Sequence, residues 1–377
     1  MRQAEFRALF PVTQERIFLN HAAYSPMSDA VVKAMDEFFA HWQMGNPKSW
    51  DIAEAHLEGL RRNHAALSGT SPERIAMMTN TVTGVNVLAN GLDWEAGDEI
   101  LLYKDEFPSN VMPFLNLESR GVIVKFLEAP GGLVTPELFE AAITPRTRLI
   151  SISSVQYLTG YRCDLAAFGQ LCRDHNIIFS VDAIQSIGVI PMDVEAVGID
   201  FMAVGGHKWL MSPLGAGYLY VTEDLQSRLK LADRGYMGHV NPIDFGNFYQ
   251  DLSPHARRFE LGAFNAPSIV GAERATELLL DCGVDHIQKH VSTLLDQFRQ
   301  GLDRLPYNLL FDFSVRESSG ILLFSHDQPE KNQAIWEYLT ANGVNLSLRG
   351  GGLRIAPHYY NVGAELEQLL DLLKDFN

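Results

Sequence analysis

Residues 201–209 read Phe-Met-Ala-Val-Gly-Gly-His-Lys-Trp. The first four residues are mostly apolar and predict a short buried strand, which the two glycines end. His207 and Lys208 follow directly after these glycines. A lysine amine in such a place is costly, because desolvation disfavours its ammonium form. One use that offsets this cost is a Schiff base with a carbonyl compound; the alternative is that Lys208 leaves the strand into solvent on an ordinary loop.

Size and composition restrict the class of protein. At roughly 150 residues per domain, the 377 residues predict two or three domains. The net charge of -16 argues against nucleic acid as a partner, since that affinity comes largely from Lys and Arg on phosphates. No apolar run reaches the roughly 18 residues of a membrane helix, and no signal-peptide pattern opens the chain. We therefore expect no membrane contact.

The cysteines and the absence of common catalytic motifs further restrict the possible compartment and chemistry of the protein. Cys163, Cys172 and Cys282 lie far apart, form no CxxC pair and indicate reduced thiols in a cytoplasm. No HExxH, GxSxG, GxGxxG or Walker lysine pattern occurs, and no metal site is expected. Chemistry centred on Lys208 is therefore the first hypothesis to follow.

Strands and helices alternate on both sides of Lys208. Apolar runs predict strands at residues 74–78, 99–103, 122–127, 149–154, 177–181, 201–204 and 217–221, with helical patterns between most of them. This alternation predicts a parallel or mixed sheet covered on both faces. Ligands in such sheets bind outside the carboxyl ends of the strands. Asp182, Lys208, the turn at Thr81 and the loop of Phe107 all follow strand ends, so we expect them along one edge.

The flanking segments predict a division into domains. Residues 1–28 look irregular and are expected to pack with a small domain as an N-terminal segment. Helices are predicted from Asp29, with Val31, Met35, Phe38 and Trp42 on one face, and from about residue 51 to 68. Residues 29–255 form the predicted large domain. Residues 256–377 mix helices with three strands, which predicts a smaller α+β C-terminal domain.

Two features that precede Lys208 in the sequence, the acid Asp182 and a threonine-rich turn, are candidates for the same site. Asp182 ends the apolar run 177–181, where a carboxylate can satisfy a cationic ring nitrogen; the alternative is an N-cap for the following turn. The 26 residues from Asp182 to Lys208 fit one crossover and a return strand. The turn Thr81-Val82-Thr83-Gly84 precedes a predicted helix, whose free N–H groups can bind phosphate, or whose first turn Thr81 merely caps.

Two further residues are candidates for binding. Phe107, just past a strand, can stack on a planar ring, although a phenylalanine is more often core. Arg354 interrupts an apolar strand, and its planar fork suits bidentate capture of a carboxylate; the alternative is a surface salt bridge. Arg349 is a weaker second candidate for the same role.

Three segments together resemble a known family. Val181-Asp182-Ala183-Ile184-Gln185, Gly205-Gly206-His207-Lys208 and residues 354–361 resemble the class V aminotransferases. These are pyridoxal-phosphate enzymes that include cysteine desulfurases, kynureninases and isopenicillin-N-epimerase-like proteins. The match covers almost the whole chain in the right order. It implies an α/β fold of type I, with a mostly parallel seven-stranded central sheet, and a homodimer with active sites near the interface.

The resemblance also implies a role for each site residue. Lys208 would hold pyridoxal 5'-phosphate as an internal aldimine, Asp182 would pair with the pyridine nitrogen, and Gln185 would bond the ring's phenolic oxygen. Val82, Thr83 and His207 would bind the phosphate. Phe107 would contact the ring, and Tyr157 would lie near it. Arg354 would bind the substrate carboxylate, and Asn20 and His21 belong to the N-terminal segment beside the pocket.

The chain departs from the family pattern at three places. Gly205 stands where relatives often carry Ser or Thr, and Ala263 stands where a Thr usually reaches the neighbouring subunit's phosphate. Desulfurases also need a mobile nucleophilic cysteine on a loop shortly before the substrate arginine. Residues 345–352 contain no cysteine, so the desulfurase reaction is expected to be unlikely.

The resemblance predicts an enzyme that acts on an amino acid. Transamination is the first choice, and epimerisation or a lyase reaction of the same family is the alternative, because all share proton removal at the α-carbon. A cofactor-free α/β binding module with Lys208 in a structural ion pair is a further alternative from another class. The amino-acid side chain and the keto-acid acceptor stay open.

Overall fold

The computed structural model describes residues 1–313 and 318–376. Its strands are β1 (Ile17–Phe18), β2 (Ile75–Met78), β3 (Glu99–Tyr103), β4 (Ile123–Leu127), β5 (Thr147–Ser153), β6 (Ile178–Asp182), β7 (Phe201–Gly205), β8 (Gly217–Val221), β9 (Tyr307–Leu309), β10 (Leu322–His326), β11 (Val344–Asn345), β12 (Ser347–Arg349) and β13 (Gly352–Ile355). Its helices are α1 (Gln3–Arg7), α2 (Val12–Glu15), α3 (Asp29–Gln43), α4 (Ser49–Ser68), α5 (Thr81–Gly91), α6 (Met112–Leu115), α7 (Pro136–Glu140), α8 (Leu165–Asp174), α9 (Val194–Val197), α10 (Glu223–Arg228), α11 (Ala266–Cys282), α12 (Val284–Leu302), α13 (Asn332–Ala341) and α14 (Gly363–Asp375).

The central sheet has seven strands in the order β2-β8-β7-β6-β5-β3-β4. Only β8 runs against the others, since it pairs antiparallel with both β2 and β7 while the remaining pairs are parallel. Every residue of β3, β6, β7 and β8 is buried, as expected for strands covered on both faces. The predicted mostly parallel seven-stranded sheet is confirmed.

The strand directions bring the predicted site to one edge. In β6, Asp182 lies beside Ser153 of β5 and Ala203 of β7, so β5 and β6 end at the same level while β7 continues to Gly205. The segment after β7 leads to Lys208, and the segment after β5 leads to Tyr157. Because β2 and β3 point the same way as β7, the turns that follow them reach this edge as well. The carboxyl edge of the sheet is therefore where the chemistry-bearing loops converge.

Helix ends follow local sequence signals, with one difference from expectation. Gly69, with φ of 68°, ends α4 in the left-handed region that glycine tolerates. The side chain of Asn80, rather than Thr81, caps α5 by accepting a hydrogen bond from the Thr83 backbone N–H. The alternative in which Thr81 is an ordinary cap is thus wrong, and its hydroxyl is left for another use.

The N-terminal residues lie against the C-terminal part of the chain. Strand β1 pairs in parallel with β11, and Asn20 forms an isolated bridge with Ala356. Arg7 forms a 2.8 Å ion pair with Glu365. A four-stranded antiparallel sheet, in the order β12-β13-β10-β9, completes this region. The proposed boundaries at 28/29 and 255/256 stay a prediction.

The surface of α3 is less buried than its periodicity suggests. Val31 and Phe38 are buried on the predicted face, whereas Trp42 is 45% exposed. Trp42 contacts the ring of Trp50, which is also exposed. Within the described residues, no helix combines the length and apolar character that crossing a membrane requires.

Candidate active site

A cavity of about 220 Å³ opens at the carboxyl edge of the central sheet. It is lined by residues from the N-terminal segment, from the loops after β2, β3, β5, β6 and β7, and from the β12–β13 hairpin. The lining residues are Ala22, Ala23, Asn80, Thr81, Val82, Phe107, Ser109, Tyr157, Asp182, Ile184, His207, Lys208, Arg349 and Arg354. Seven of the predicted site residues therefore meet in one place: Val82, Phe107, Tyr157, Asp182, His207, Lys208 and Arg354.

Lys208 is buried at the base of this cavity, with only 6% of its surface exposed. Its Nζ lies 5.2 Å from the ring centroid of Phe107. Burial lowers the pKa of the amine, while the Asp182 carboxylate opposes that shift. The amine therefore loses its proton more readily than an exposed lysine does, which is what a base or a nucleophile requires.

Asp182 is the acidic partner of this pair. Its carboxylate accepts a 3.0 Å hydrogen bond from the Ile184 backbone N–H. Burial raises the pKa of Asp182; the Ile184 bond and Lys208 favour the charged form, whereas the nearby Glu106 carboxylate disfavours it. A cation brought near this carboxylate would relieve its desolvation. The capping alternative is partly correct, since Asp182 does hold the turn that follows it.

Glu106 is a buried acid that the motif reading did not single out. Its carboxylate accepts hydrogen bonds from the Ser153 backbone N–H at 2.7 Å and from Gln156 at 2.8 Å. Burial raises its pKa, and these donors oppose the shift. Glu106 thereby fixes the loop that carries Phe107 against the end of β5. No sequence motif marks it; only its position just past a buried strand does.

The turn after β2 supplies one end of the cavity. The hydroxyl Oγ1 of Thr81 is buried there without a hydrogen-bond partner, and Val82 lies beside it. Thr83, by contrast, donates its hydroxyl to the Asn80 side chain at 2.9 Å and lies outside the cavity. The side chain of Thr83, predicted to bind the phosphate, therefore lies outside the cavity. Thr81, considered as a helix cap, lines the cavity instead.

Two of the three departures from the family pattern, Gly205 and Ala263, lie near this turn. A Cβ built on Gly205 would come 3.2 Å from the Thr81 hydroxyl oxygen. Ala263 lines a separate groove of about 370 Å³ together with Val82 and Thr83. Gly205 thus lies close to the Thr81 side chain, and Ala263 lies in the groove that Val82 and Thr83 line.

Aromatic and cationic groups form the opposite wall. Phe107 is half-buried and meets Tyr157 edge to face, with 5.2 Å between ring centroids. Phe107 therefore faces the cavity rather than the core. Arg354 is only 1% exposed, and its Nη1 donates to the Tyr157 carbonyl oxygen at 2.6 Å. Burial, with the nearby Arg349 charge, lowers the pKa of Arg354 to about 10.

Besides Thr83, three further predicted site residues do not line the cavity. Gln185 donates to the Ala22 carbonyl at 3.0 Å and accepts from the Trp209 indole N–H at 2.8 Å. Asn20 hydrogen-bonds to Asn345 and Ser347. These contacts hold the walls of the cavity, and the predicted direct contacts of both residues stay a prediction.

His21 is the fourth predicted site residue outside the cavity lining. Its ring is completely buried, and Nδ1 donates to the Ala356 carbonyl oxygen at 2.8 Å. It lies among the rings of Trp209, His358 and Tyr360. The structure thus places His21 in an aromatic cluster beneath the site, because the bridge between Asn20 and Ala356 turns its side chain inward.

The cysteines lie elsewhere. Cys163, Cys172 and Cys282 are free and buried, and none is among the described residues that line the cavity. Burial raises the pKa of all three thiols, that of Cys282 to about 11. Nor do the described residues hold a group of three or more His, Cys, Asp or Glu arranged to hold a metal ion.

Comparisons with known proteins bear on this site. The family model described as Aminotransferase class-V matches residues 17–364. A probable cysteine desulfurase of Methanothermobacter thermautotrophicus is 27% identical, over 100% of this chain and 98% of the relative. An uncharacterized aminotransferase of Bacillus subtilis, YcbU, is 26% identical over 97% and 96% of the two chains. The first name runs against the expectation that desulfuration is unlikely.

A solved structure shows the same fold. The cystine C-S lyase C-DES, in complex with its reaction product cysteine persulfide, superposes with a TM-score of 0.90 at 24% identity, covering 97% of this chain and 99% of that one. This likeness confirms the fold-type-I architecture. Together with the family model, which spans most of the sequence, it places the chain: the protein belongs to the class V aminotransferase family of pyridoxal-phosphate-dependent enzymes.

Proposed function

We propose that this protein binds pyridoxal phosphate through Lys208 and transfers the amino group of an amino acid. The observation that carries the proposal is the pairing of Lys208 with Asp182 in one buried cavity at the carboxyl edge of the sheet. An amine of lowered pKa is suited to hold the cofactor's aldehyde, and a buried carboxylate whose charge is poorly solvated is stabilised by a cationic ring nitrogen.

The residues present fit that cofactor. The Thr81 hydroxyl is a buried polar atom without a partner at a helix N-terminus, where a phosphate is stabilised by backbone N–H groups. His207 lines the same cavity, and Phe107 offers an aromatic ring beside Lys208. Lys208 would hold the aldehyde carbon, Asp182 the ring nitrogen, and Thr81, Val82 and His207 the phosphate. When bound, the cofactor supplies a ring that withdraws electrons from the substrate α-carbon.

The protein's own groups would then carry out the proton chemistry. Lys208 would remove the proton at the α-carbon and return it, since its lowered pKa leaves a larger share of neutral amine near pH 7. Asp182 would keep the ring nitrogen protonated, which relieves the desolvation of its own carboxylate. Arg354 would orient the substrate by its α-carboxylate, using nitrogens that Tyr157 leaves free.

A second candidate function is a lyase reaction, the elimination of a β-substituent. The observation that favours it is the fold shared with the cystine C-S lyase and the name of the desulfurase relative. Transfer of sulfur to an enzyme cysteine is less well supported, because the cavity lining contains none of the chain's three cysteines. Epimerisation shares the proton step and is the remaining family alternative.

A panel of amino acids tests these proposals. Conversion of the bound cofactor to its pyridoxamine form, seen in the visible spectrum, marks a transaminase. Keto-acid or sulfide release without that conversion marks a lyase, and loss of optical purity alone marks an epimerase. A protein that never takes up pyridoxal phosphate would overturn the proposal in favour of a binding module without cofactor.

The homodimer is part of the proposal. Large apolar side chains are exposed on two segments, α3 with the start of α4 and the loop of residues 236–249: Phe39, Trp42, Met44, Trp50, Val240, Ile243, Phe245, Phe248 and Tyr249. Many large apolar side chains exposed on two segments are typical of an interaction surface. A second copy of this chain is the simplest partner. Sedimentation at micromolar concentration tests this, and a monomer would contradict it. The cytoplasmic location and the absence of nucleic-acid binding stay predictions.

A further inference from the structure

Two guanidinium groups share one face of the β12–β13 hairpin. Ser347 pairs with Arg354 and Arg349 pairs with Gly352, so Arg349 and Arg354 are diagonal neighbours. Diagonal positions in an antiparallel pair are typically about 7–8 Å apart, within reach of long side chains. Both side chains line the cavity. Two like charges so placed repel each other unless an anion lies between or beside them.

The described residues supply no such anion. Neither guanidinium takes part in an ion pair with a described carboxylate. The one carboxylate among the described lining residues is Asp182, whose negative charge is stabilised by the Lys208 amine. Arg354 is buried without an anionic partner among these residues, whereas Arg349 is exposed and solvated, so both guanidinium groups are open to an anionic ligand in the cavity.

Arg354 alone can satisfy one carboxylate. Its Nη1 is occupied by the Tyr157 carbonyl oxygen, and its Nε is buried without a partner. The edge formed by Nε and Nη2 presents two parallel N–H donors, which match the two oxygens of a single carboxylate. An α-carboxylate on that edge needs no donor from Arg349.

Arg349 is held at the cavity by the turn that follows it. Gly350 and Gly351 have φ of 59° and 79°, which makes a tight two-residue hairpin turn of the kind that glycine permits. A Cβ on Gly350 would come 2.5 Å from Leu158, so the turn is seated closely on the loop that carries Tyr157. The Arg349 guanidinium lies over the Tyr157 ring, 5.7 Å from its centroid. This cation–π contact positions the group without using its N–H donors.

We propose that Arg349 binds a second anionic group at the far end of the substrate side chain, so that the enzyme prefers acidic, dicarboxylic α-amino acids. The proposal rests on the proposed function, in that Arg354 binds the α-carboxylate. It assigns Arg349 as a specificity residue.

Matched substrate pairs test the specificity directly. Aspartate against asparagine and glutamate against glutamine differ in charge but hardly in shape. Of aspartate and glutamate, we expect the wild type to use one more efficiently, and to favour it over its own amide by roughly 10- to 100-fold in kcat/KM. This is the range of one charge-assisted contact. Arg349→Gln should reduce that ratio at least about 10-fold while changing kcat/KM for the amide little. Arg349→Lys should keep part of the preference.

A control and the contrary outcomes complete this experiment. Arg304 is exposed and lies outside the described cavity lining, so Arg304→Gln should leave the ratio unchanged. Equal losses for acid and amide in Arg349→Gln would mean that Arg349 shares the α-carboxylate, and would overturn the inference. An unchanged ratio in that variant would overturn it as well.

Binding of simple dicarboxylates tests the inference without any reaction. Succinate or glutarate, in excess over their dissociation constants, should raise the melting temperature of the wild-type protein by roughly 2 °C or more, and butyrate by less. Arg349→Gln should lose this difference and Arg304→Gln should keep it. If dicarboxylates stabilise through Arg349 but no amino acid reacts, the proposed function fails and the inference stands. If amino acids react but neither test depends on Arg349, the inference fails and the proposed function stands.

Discussion

The hydroxyl oxygen of Thr81 lies 3.2 Å from the point where a Cβ on Gly205 would stand. Relatives in this family often carry a serine or threonine at the position of Gly205. In this chain the Thr81 hydroxyl lies close to that position, and it has no hydrogen-bond partner of its own. We therefore expect Thr81 to supply the donor that Gly205 lacks, and this expectation can be tested by exchanging the two.

Removing the Thr81 hydroxyl should weaken cofactor binding. We expect Thr81→Val to raise the dissociation constant of pyridoxal phosphate about 10-fold, because one hydrogen bond to a charged phosphate is lost from a buried site. The measurement is equilibrium dialysis in a Lys208→Ala background, where the covalent linkage cannot mask the change. Thr83→Val is the matched control, since the Thr83 hydroxyl is bound to Asn80. An equal effect of both variants would contradict the assignment.

Moving the hydroxyl to position 205 should restore affinity. In Thr81→Val with Gly205→Ser, the new side chain would come 2.9 Å from the Ile184 Cδ1 atom, the free end of a side chain that can shift. We expect most of the lost affinity for pyridoxal phosphate to return in the same dialysis experiment. Gly205→Ala in the Thr81→Val background adds the Cβ without the hydroxyl, and recovery in that variant would show that packing rather than hydrogen bonding is responsible.

Replacing Lys208 should separate covalent from noncovalent binding of the cofactor. Lys208→Ala should abolish exchange of the substrate α-proton with solvent deuterium, because the buried amine is the base. Some cofactor should stay bound through Asp182 and Thr81. Proton NMR of the α-hydrogen measures the exchange, and Lys289→Ala, at an exposed lysine of α12, serves as the control. Full exchange in Lys208→Ala would remove Lys208 from the mechanism.

The central sheet could be predicted from the sequence because its signals are local. Buried strands such as β3 and β8 are short apolar runs bounded by turn residues, and their observed limits coincide with the predicted ones. The parallel order follows from the helices between them. Asp182 and Lys208 were found for the same reason, since each directly follows such a run.

The rest of the site depends on contacts between distant segments. Which hydroxyl of the turn after β2 enters the cavity is decided by the Asn80 cap, which holds Thr83 and frees Thr81. The His21 side chain points inward because Asn20 forms a bridge with Ala356, a residue 336 positions further along the chain. Neither contact leaves a periodic signal in the sequence, so the sequence alone does not tell that Thr83 and His21 lie outside the cavity lining, and their predicted contacts stay a prediction.

Removing Arg354 should separate recognition of the carboxylate from the chemistry. We expect Arg354→Ala to raise KM for amino acids roughly 100-fold, as expected for loss of a bidentate charge-assisted pair. Amines that lack a carboxylate should be affected far less. Steady-state kinetics with an amino acid and its decarboxylated analogue measure the difference, and Arg354→Lys shows how much depends on the planar fork. Equal effects on both compounds would refute the carboxylate role.

Acid should destabilise the fold through two buried histidines. Burial lowers the pKa of His64 to about 3, with the Arg61 charge adding to the shift, and that of His358 to about 4. Between those values and the ordinary pKa near 6.5, the unfolded chain binds more protons than the folded one, so stability falls as pH falls through this window. At about 1.4 kcal/mol per pH unit, we expect each histidine to remove about 2 kcal/mol between pH 7 and pH 5.

His64→Phe should isolate one of these contributions. The ring stacks on Tyr218 with 4.1 Å between centroids, and Nδ1 has no hydrogen-bond partner, so phenylalanine can keep the packing without the titrating group. Denaturant unfolding at pH 7 and pH 5 measures the two free energies of unfolding. The acid-induced loss should be about 2 kcal/mol smaller in His64→Phe than in the wild type. An identical loss in both proteins would mean that His64 is not a source of the acid sensitivity, because its protonation is then the same in the folded and unfolded chains.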